Sequence, residues 1–144
     1  MAIRTARTAW NGTLQEGAGQ VELSSSKVGT YDVSFPKRAA EDADGTTSPE
    51  ELIAAAHSSC FSMALSYEIA EAGGTPQSLE VSADVTLGQK DGAPTITTIK
   101  LTVRGEVGGL DAAGFEQAAQ AAKVGCPVSK ALTGVEITLD AALV

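Results

Sequence analysis

Residues 52–67, Leu-Ile-Ala-Ala-Ala-His-Ser-Ser-Cys-Phe-Ser-Met-Ala-Leu-Ser-Tyr, contain no Asp, Glu, Lys or Arg, and this run restricts the possible folds more than any other feature of the chain. It is preceded by Ser48, Pro49, Glu50 and Glu51. Serine is a strong N-cap, proline fits the first helical position, and acidic side chains favour the positive end of the helix dipole. Gly73-Gly74 supplies a C-terminal stop and Pro76 prevents a restart, so one helix is expected from about residue 49 to residue 72. A helix that is nearly apolar all round belongs under cover rather than on a surface. The rest of the chain therefore has to be arranged around it, with Cys60 near its middle.

Before the helix, residues 6–10 read as a short strand and Asn11-Gly12 as a two-residue hairpin turn. Short strands are expected at 20–23 and 31–35, with Pro36 ending the second and Lys37-Arg38 following directly. Residues 39–47 make a polar loop. Beyond the helix, Leu79, Val81, Ala83, Val85 and Leu87 alternate on one face of a half-buried strand over 78–87. A connection over 88–94 contains Asp91-Gly92, and Ile99, Leu101, Val103 and Val107 line a longer strand. Asp111 caps a second helix over 112–123, ended by Gly125. Pro127 opens a short third helix that Gly134 breaks, and Val135, Ile137, Leu139 and Ala141 form a last strand. This order gives an α+β fold with a mainly antiparallel sheet and a long buried central helix, in a single domain over 1–144.

The charge balance, −8 with 18 acidic against 10 basic residues, argues against a nucleic-acid or anionic-membrane surface. No apolar run reaches the length of a membrane span, and the first ten residues lack the apolar core of a secretory signal. A cytoplasmic location follows. In a reducing compartment two cysteines far apart in sequence point to catalytic or redox chemistry more than to a structural bridge.

Those cysteines are the only soft nucleophiles. Free cysteine most often packs as a small hydrophobe, and Cys60, mid-helix, gains no help from a helix end. Burial alone raises a thiol pKa, so an active Cys60 needs a cation. Cys126 stands beside the start of the helix opened by Pro127, where free N–H groups favour a thiolate. Arg38 is the better cation of the Lys37-Arg38 pair because guanidinium stays charged and bonds in a planar fork. An arginine in an apolar site needs its own counter-ion, and Glu50 and Glu51 are the nearest carboxylates. His57 lies three residues before Cys60 on nearly the same face, yet no residue at an obvious spacing would orient it as a base. It reads as a packed, hydrogen-bonded helix residue. Metal-ligand spacings such as C-x-x-C and H-x-x-x-H are absent, and no bound cofactor is called for.

The segments Ser-Pro-Glu-Glu-Leu-Ile-Ala-Ala-Ala-His-Ser-Ser-Cys60-Phe-Ser-Met-Ala-Leu-Ser and Gly125-Cys-Pro-Val-Ser-Lys-Ala-Leu132 resemble the two signature regions of the OsmC/Ohr family. Residues 79–87 and the ending Glu136-Ile-Thr-Leu-Asp140 resemble it as well, and Ala-Ala-His-Ser-Ser-Cys is closer to the OsmC branch than to the Ohr branch. The resemblance implies an intertwined homodimer of the OsmC-like type that reduces hydroperoxides with thiols, in the oxidative and osmotic stress response. It implies that Cys60 is the peroxidatic cysteine, Cys126 the resolving one and Glu50 the family glutamate. The family arginine falls on Arg38, with Arg4 and Arg7 as alternatives because the loop around Lys37-Arg38 differs from the family pattern.

Taken together, the reading is a thiolate at Cys60 that attacks a peroxide oxygen and becomes a sulfenic acid, which Cys126 captures as a disulfide. A dithiol, small or protein-borne, then restores both thiols by exchange. The apolar helix suits an organic hydroperoxide at least as well as hydrogen peroxide. Two rival readings are a redox sensor, which would oxidise but turn over poorly, and a non-enzymatic binder of a small ligand. The ten positions between Glu50 and Cys60 correspond to about 15 Å of helix rise. A second copy of the helix, packed antiparallel, is therefore expected to bring its Arg38 and Glu50 to the first copy's Cys60, placing the active sites at the dimer interface.

Overall fold

In the computed structural model, which describes residues Met1–Val144, the chain divides into two units, Met1–Leu52 and Ile53–Val144, each with its own three-stranded sheet. The first unit is an antiparallel meander of β1 (Arg7–Asn11), β2 (Ala18–Glu22) and β3 (Thr30–Val33). Its hairpin is wider than the sequence suggests. Asn11 is still in the strand, paired with Ala18, and residues 12–17 form the loop. Thr13 accounts for the difference: its hydroxyl accepts the Glu16 N–H and its carbonyl the Gly17 N–H, at 3.2 and 2.8 Å. That local turn competes with a tight Asn-Gly reversal.

β3 stops at Val33 rather than at residue 35, and Pro36 does not end it. Ser34 instead caps a single helical turn, α1 (Phe35–Arg38), accepting the Lys37 N–H at 3.4 Å. Proline tolerates the start of a helix as readily as the end of a strand, so Lys37 and Arg38 ride on a helical turn and not in a loop. Lys37 reaches Asp44 in the following loop at 2.8 Å, and the Thr47 N–H donates to the Asp32 carbonyl at 3.0 Å. That loop ends where α2 (Pro49–Glu71) begins, with Ser48 Oγ accepting the Glu51 N–H at 3.2 Å.

Most of α2 belongs to the second unit. It ends as expected: Gly73 has φ +85°, and the Gly74 N–H turns back to the Ile69 carbonyl at 2.9 Å. The strands that follow, β4 (Thr75–Lys90) and β5 (Ala93–Gly108), are longer than the apolar alternation alone indicates. Asp91 and Gly92 join them with φ of +53° and +79°, the left-handed pair of a two-residue hairpin. Two helices, α3 (Ala112–Gly125) and α4 (Pro127–Ala131), then lead to β6 (Glu136–Leu143). β6 pairs parallel with β5, so the sheet is mixed, with order β4-β5-β6. The Asp111 cap of α3 is as expected, accepting the Gly114 N–H at 2.8 Å.

One face of this sheet carries the core. Val81, Val103 and Ala141 stand abreast, as do Ala83, Leu101 and Leu139. Phe61, Leu65 and Ile69 of α2 and Phe115, Ala118, Ala119 and Ala122 of α3 join Leu101 and Val103 in one buried cluster that reaches Cys126. The residues of α2 that are fully enclosed, His57, Phe61, Leu65 and Ile69, recur every fourth position and make a single stripe. The cover expected all round the helix is therefore supplied on one side of it by this chain. Met63 and Tyr67 remain 72% and 62% exposed.

Candidate active site

Cys126 owes its place to the break between two helices. It is the last cap of α3, its N–H donating to the Ala122 carbonyl at 2.8 Å, and the N-cap of α4, its carbonyl accepting from Lys130 at 3.0 Å. Its backbone turns to φ −58°, ψ 123° because the residue before a proline is kept out of the helical region. This sharp turn buries the side chain completely. Cys60, half-buried on α2, meets it there: the two sulfurs are 3.0 Å apart and both thiols are free. The cysteines, separated by 66 positions, are thus brought into contact inside one unit.

Thiols this close ionise as a pair. Burial pushes the Cys60 thiol above its ordinary pKa, and the neighbouring Cys126 adds to the shift. Burial acts on Cys126 too, but it is outweighed. The neighbouring Cys60 thiol and the polar groups of Ser129 and Val128 at the start of α4 favour its charged form, and the Cys126 pKa is lowered. The surroundings thus favour a thiolate at Cys126 over one at Cys60. Cys60 therefore needs a further positive group to become the nucleophile.

Around the pair sits a buried polar contact. His57 Nε2 and Ser129 Oγ are 2.7 Å apart, both residues are enclosed, and burial lowers the His57 pKa. The expected packed histidine is found. Its partner Ser129 did not stand out from the sequence, where the only signal is a small polar residue three positions after Cys126 (N3 of α4), a place from which a side chain folds back toward the cap.

In the first unit, α1 and the first turn of α2 bring Arg38 and Glu50 together. Arg38 Nε donates to both Glu50 oxygens at 3.0 and 3.2 Å, and Nη2 donates to Oε1 at 2.7 Å. Glu50 is only 7% exposed, so its charge is held almost wholly by this guanidinium. Glu51 turns away and accepts from the Thr47 hydroxyl at 2.7 Å. Of the alternative arginines, Arg4 donates to the Ile3 carbonyl and Arg7 pairs with Glu22 at 3.3 Å, both exposed. Arg38 also lies on the wall of an apolar pocket of about 340 Å³ lined by Trp10, Leu14, Val21, Val33 and Phe35. No three His, Cys, Asp or Glu side chains converge as a metal ion would require.

Similarity to known proteins extends over most of the chain. The chain is 44% identical to the peroxiredoxin OsmC of Escherichia coli (strain K12) over 131 residues, which cover 91% of this chain and 90% of that one. It is 33% identical over 122 residues to the organic hydroperoxide resistance protein OhrA of Bacillus subtilis (strain 168), covering 83% and 85% of the two chains. The crystal structure of OhrB from Bacillus subtilis superposes with a TM-score of 0.74 at 30% identity, over 95% of this chain and 97% of that one. The family model described as OsmC-like protein matches residues 41–140, a span that holds Glu50, Cys60 and Cys126. The chain belongs to the OsmC-like protein family.

Proposed function

We propose that this protein is a cysteine-based hydroperoxide reductase, which reduces organic hydroperoxides and hydrogen peroxide in the cytoplasm with electrons from a dithiol, residues 1–144 acting as one functional domain. The observation that carries the reading is the 3.0 Å approach of two free thiols. Cys60 is the accessible member, so it takes the peroxidatic role, and the enclosed Cys126 takes the resolving one. The Cys60 thiolate attacks the distal peroxide oxygen, the O–O bond breaks, and the departing oxygen leaves as alcohol or water after taking a proton. The sulfenic acid on Cys60 is then attacked by Cys126, which forms the disulfide and releases water before further oxidation sets in. The names of the relatives, a peroxiredoxin and organic hydroperoxide resistance proteins, support the same chemistry. The apolar pocket beside Arg38 supports an organic substrate.

Arg38, oriented by Glu50, is the cation that draws the charge onto Cys60. Both come from a partner subunit. Ten residues of helix separate Glu50 from Cys60, about 15 Å along the axis, and the free face of α2 offers a surface on which a second copy can lie antiparallel. Met63 and Tyr67 on that face support the dimer.

Purified protein mixed with an organic hydroperoxide and excess dithiol is expected to consume the peroxide catalytically. Cys60→Ser should abolish turnover, because no other group can attack the O–O bond. Cys126→Ser should consume one equivalent in forming the Cys60 sulfenic acid and a further equivalent as Cys60 over-oxidises, and then stall. Equal losses of the first oxidation in both variants would reverse the roles, and slow turnover of the wild-type chain with a stable disulfide would make it a sensor.

A further inference from the structure

The contact between Cys60 and Cys126 is a ligand set as well as a redox couple. The two sulfurs stand 3.0 Å apart with both thiols free, one on α2 and the other at the turn that opens α4. The chain holds each of them in place. Cys126 is completely enclosed, and its backbone is bonded both ways, to the last turn of α3 and to the first turn of α4. Cys60 packs against the core cluster but keeps part of its surface. Sulfurs fixed side by side are a soft, two-toothed donor. A third protein ligand is missing. No further His, Cys, Asp or Glu converges on the pair, and Nε2 of His57, one helical turn before Cys60, is engaged by Ser129 Oγ at 2.7 Å. That shortfall narrows the choice of ligand. Zinc takes three or four protein ligands and would find two. Copper(I) held by two sulfurs sits in line between them, whereas these sulfurs are in contact. Trivalent arsenic bonds to sulfurs that lie side by side, with bond angles near a right angle, and it brings its own third ligand.

We propose that the reduced Cys60–Cys126 pair is a chelating site for arsenite, in which one arsenic atom bridges both sulfurs. The inference goes beyond peroxide reduction, and it depends only on the two adjacent free thiols. At neutral pH arsenite is the small, uncharged molecule As(OH)3, so it sheds no ionic hydration on entering a half-buried apolar site. Cys60, the accessible sulfur, displaces the first hydroxyl, and the thiol proton leaves with it as water. The Cys126 sulfur displaces a second hydroxyl in the same way. Two As–S bonds form, two As–O bonds break and two waters depart. Arsenic stays trivalent throughout, so no oxidant or reductant is consumed. The second bond closes within one molecule, where the effective concentration of Cys126 is set by the contact rather than by dilution. The remaining hydroxyl of the arsenic lies toward Cys60, because Cys126 has no accessible surface. A pair bridged in this way has no thiol left to attack a peroxide.

The probe is sodium arsenite, added to the full-length chain after reduction and removal of the reductant. Native mass spectrometry counts the arsenic atoms on each chain, and equilibrium dialysis gives the affinity. The wild-type chain is expected to bind one arsenic with loss of two waters, and to release it to dimercaptopropanol, a competing dithiol. Cys60→Ser and Cys126→Ser should each bind at least about a hundred-fold more weakly, the low end of what a second tethered bond contributes. Where a buried hydroxyl at position 126 prevents folding, Cys126→Ala takes its place. Arsenite added before cumene hydroperoxide should prevent the Cys60–Cys126 disulfide from forming in the wild-type chain. Arsenite bound no more tightly by the wild-type chain than by either single-cysteine variant would overturn the inference, and so would two arsenic atoms on one chain. Zinc chloride retained as tightly as arsenite would overturn the choice of ligand. A wild-type chain that binds one arsenic but consumes no hydroperoxide would support this site and remove the reductase reading, so the two fail separately.

Discussion

At the scale of single residues, burial gives His57 a pH-dependent share in stability. Its native pKa lies below the ordinary value of 6.5 because enclosure penalises the imidazolium. Below about pH 6.5 the unfolded chain binds a proton that the native chain refuses. The contribution is therefore complete above that pH and is lost as the pH falls toward the native pKa. Between about pH 7.5 and about pH 5.5 the wild-type chain is expected to lose more melting temperature than His57→Leu. An equal loss in both would assign the acid sensitivity to carboxylates. The side chains that the structure pairs, Cys60 with Cys126 and Arg38 with Glu50, could be picked out in the sequence because they are rare or charged. Two cysteines have few alternatives, and an arginine near a glutamate at a helix start suggests a pair. Ser129 could not be singled out, since its contact is with a histidine 72 positions away.

Among the elements, α3 meets β5 at Gly105. A Cβ on Gly105 would lie 2.8 Å from the Phe115 ring and 3.0 Å from Leu79 Cδ2. The glycine is thus a matter of space, and its strand conformation is ordinary. Gly105→Ala should destabilise the protein by about 1–3 kcal/mol in denaturant titrations, the range for overpacking a filled core. Combining it with Phe115→Leu should return part of the loss, whereas strictly additive losses would mean that the ring does not meet the new methyl group. Elements fixed by local chemistry were legible: α2 from its cap, proline and double glycine, α3 from Asp111, and the β4–β5 reversal from Asp91-Gly92. The first hairpin and the end of β3 were misread where two local signals compete, Thr13 against Asn11-Gly12 and Ser34 against Pro36. The parallel pairing of β6 left no local mark, because strand direction is decided by the path of α3 and α4 between the paired strands.

For the molecule as a whole, the sequence demanded cover around α2 and the single chain provides half of it. The proposed dimer supplies the remainder, and it predicts a mass of two chains in light scattering. Met63→Glu with Tyr67→Glu should shift that mass toward one chain, since charge would be placed on a face that otherwise has none. Mixing Cys60→Ser chains with chains carrying both Arg38→Ala and Glu50→Ala tests the shared site. A site assembled across subunits would be complete in half of each mixed dimer and activity would return; a site assembled within one chain would stay inactive in every combination.

The unequal exposure of the two sulfurs also sets the direction in which the oxidised protein is recharged. An incoming thiolate can reach the bridge at Cys60 alone, since Cys126 has no accessible surface. The mixed disulfide must then form on Cys60, with Cys126 as the leaving group. The lowered pKa of Cys126 makes it the better leaving group of the two. Reduction is thereby channelled through one sulfur, and a reductant needs a slender, exposed thiol rather than a matching cleft to restore the enzyme.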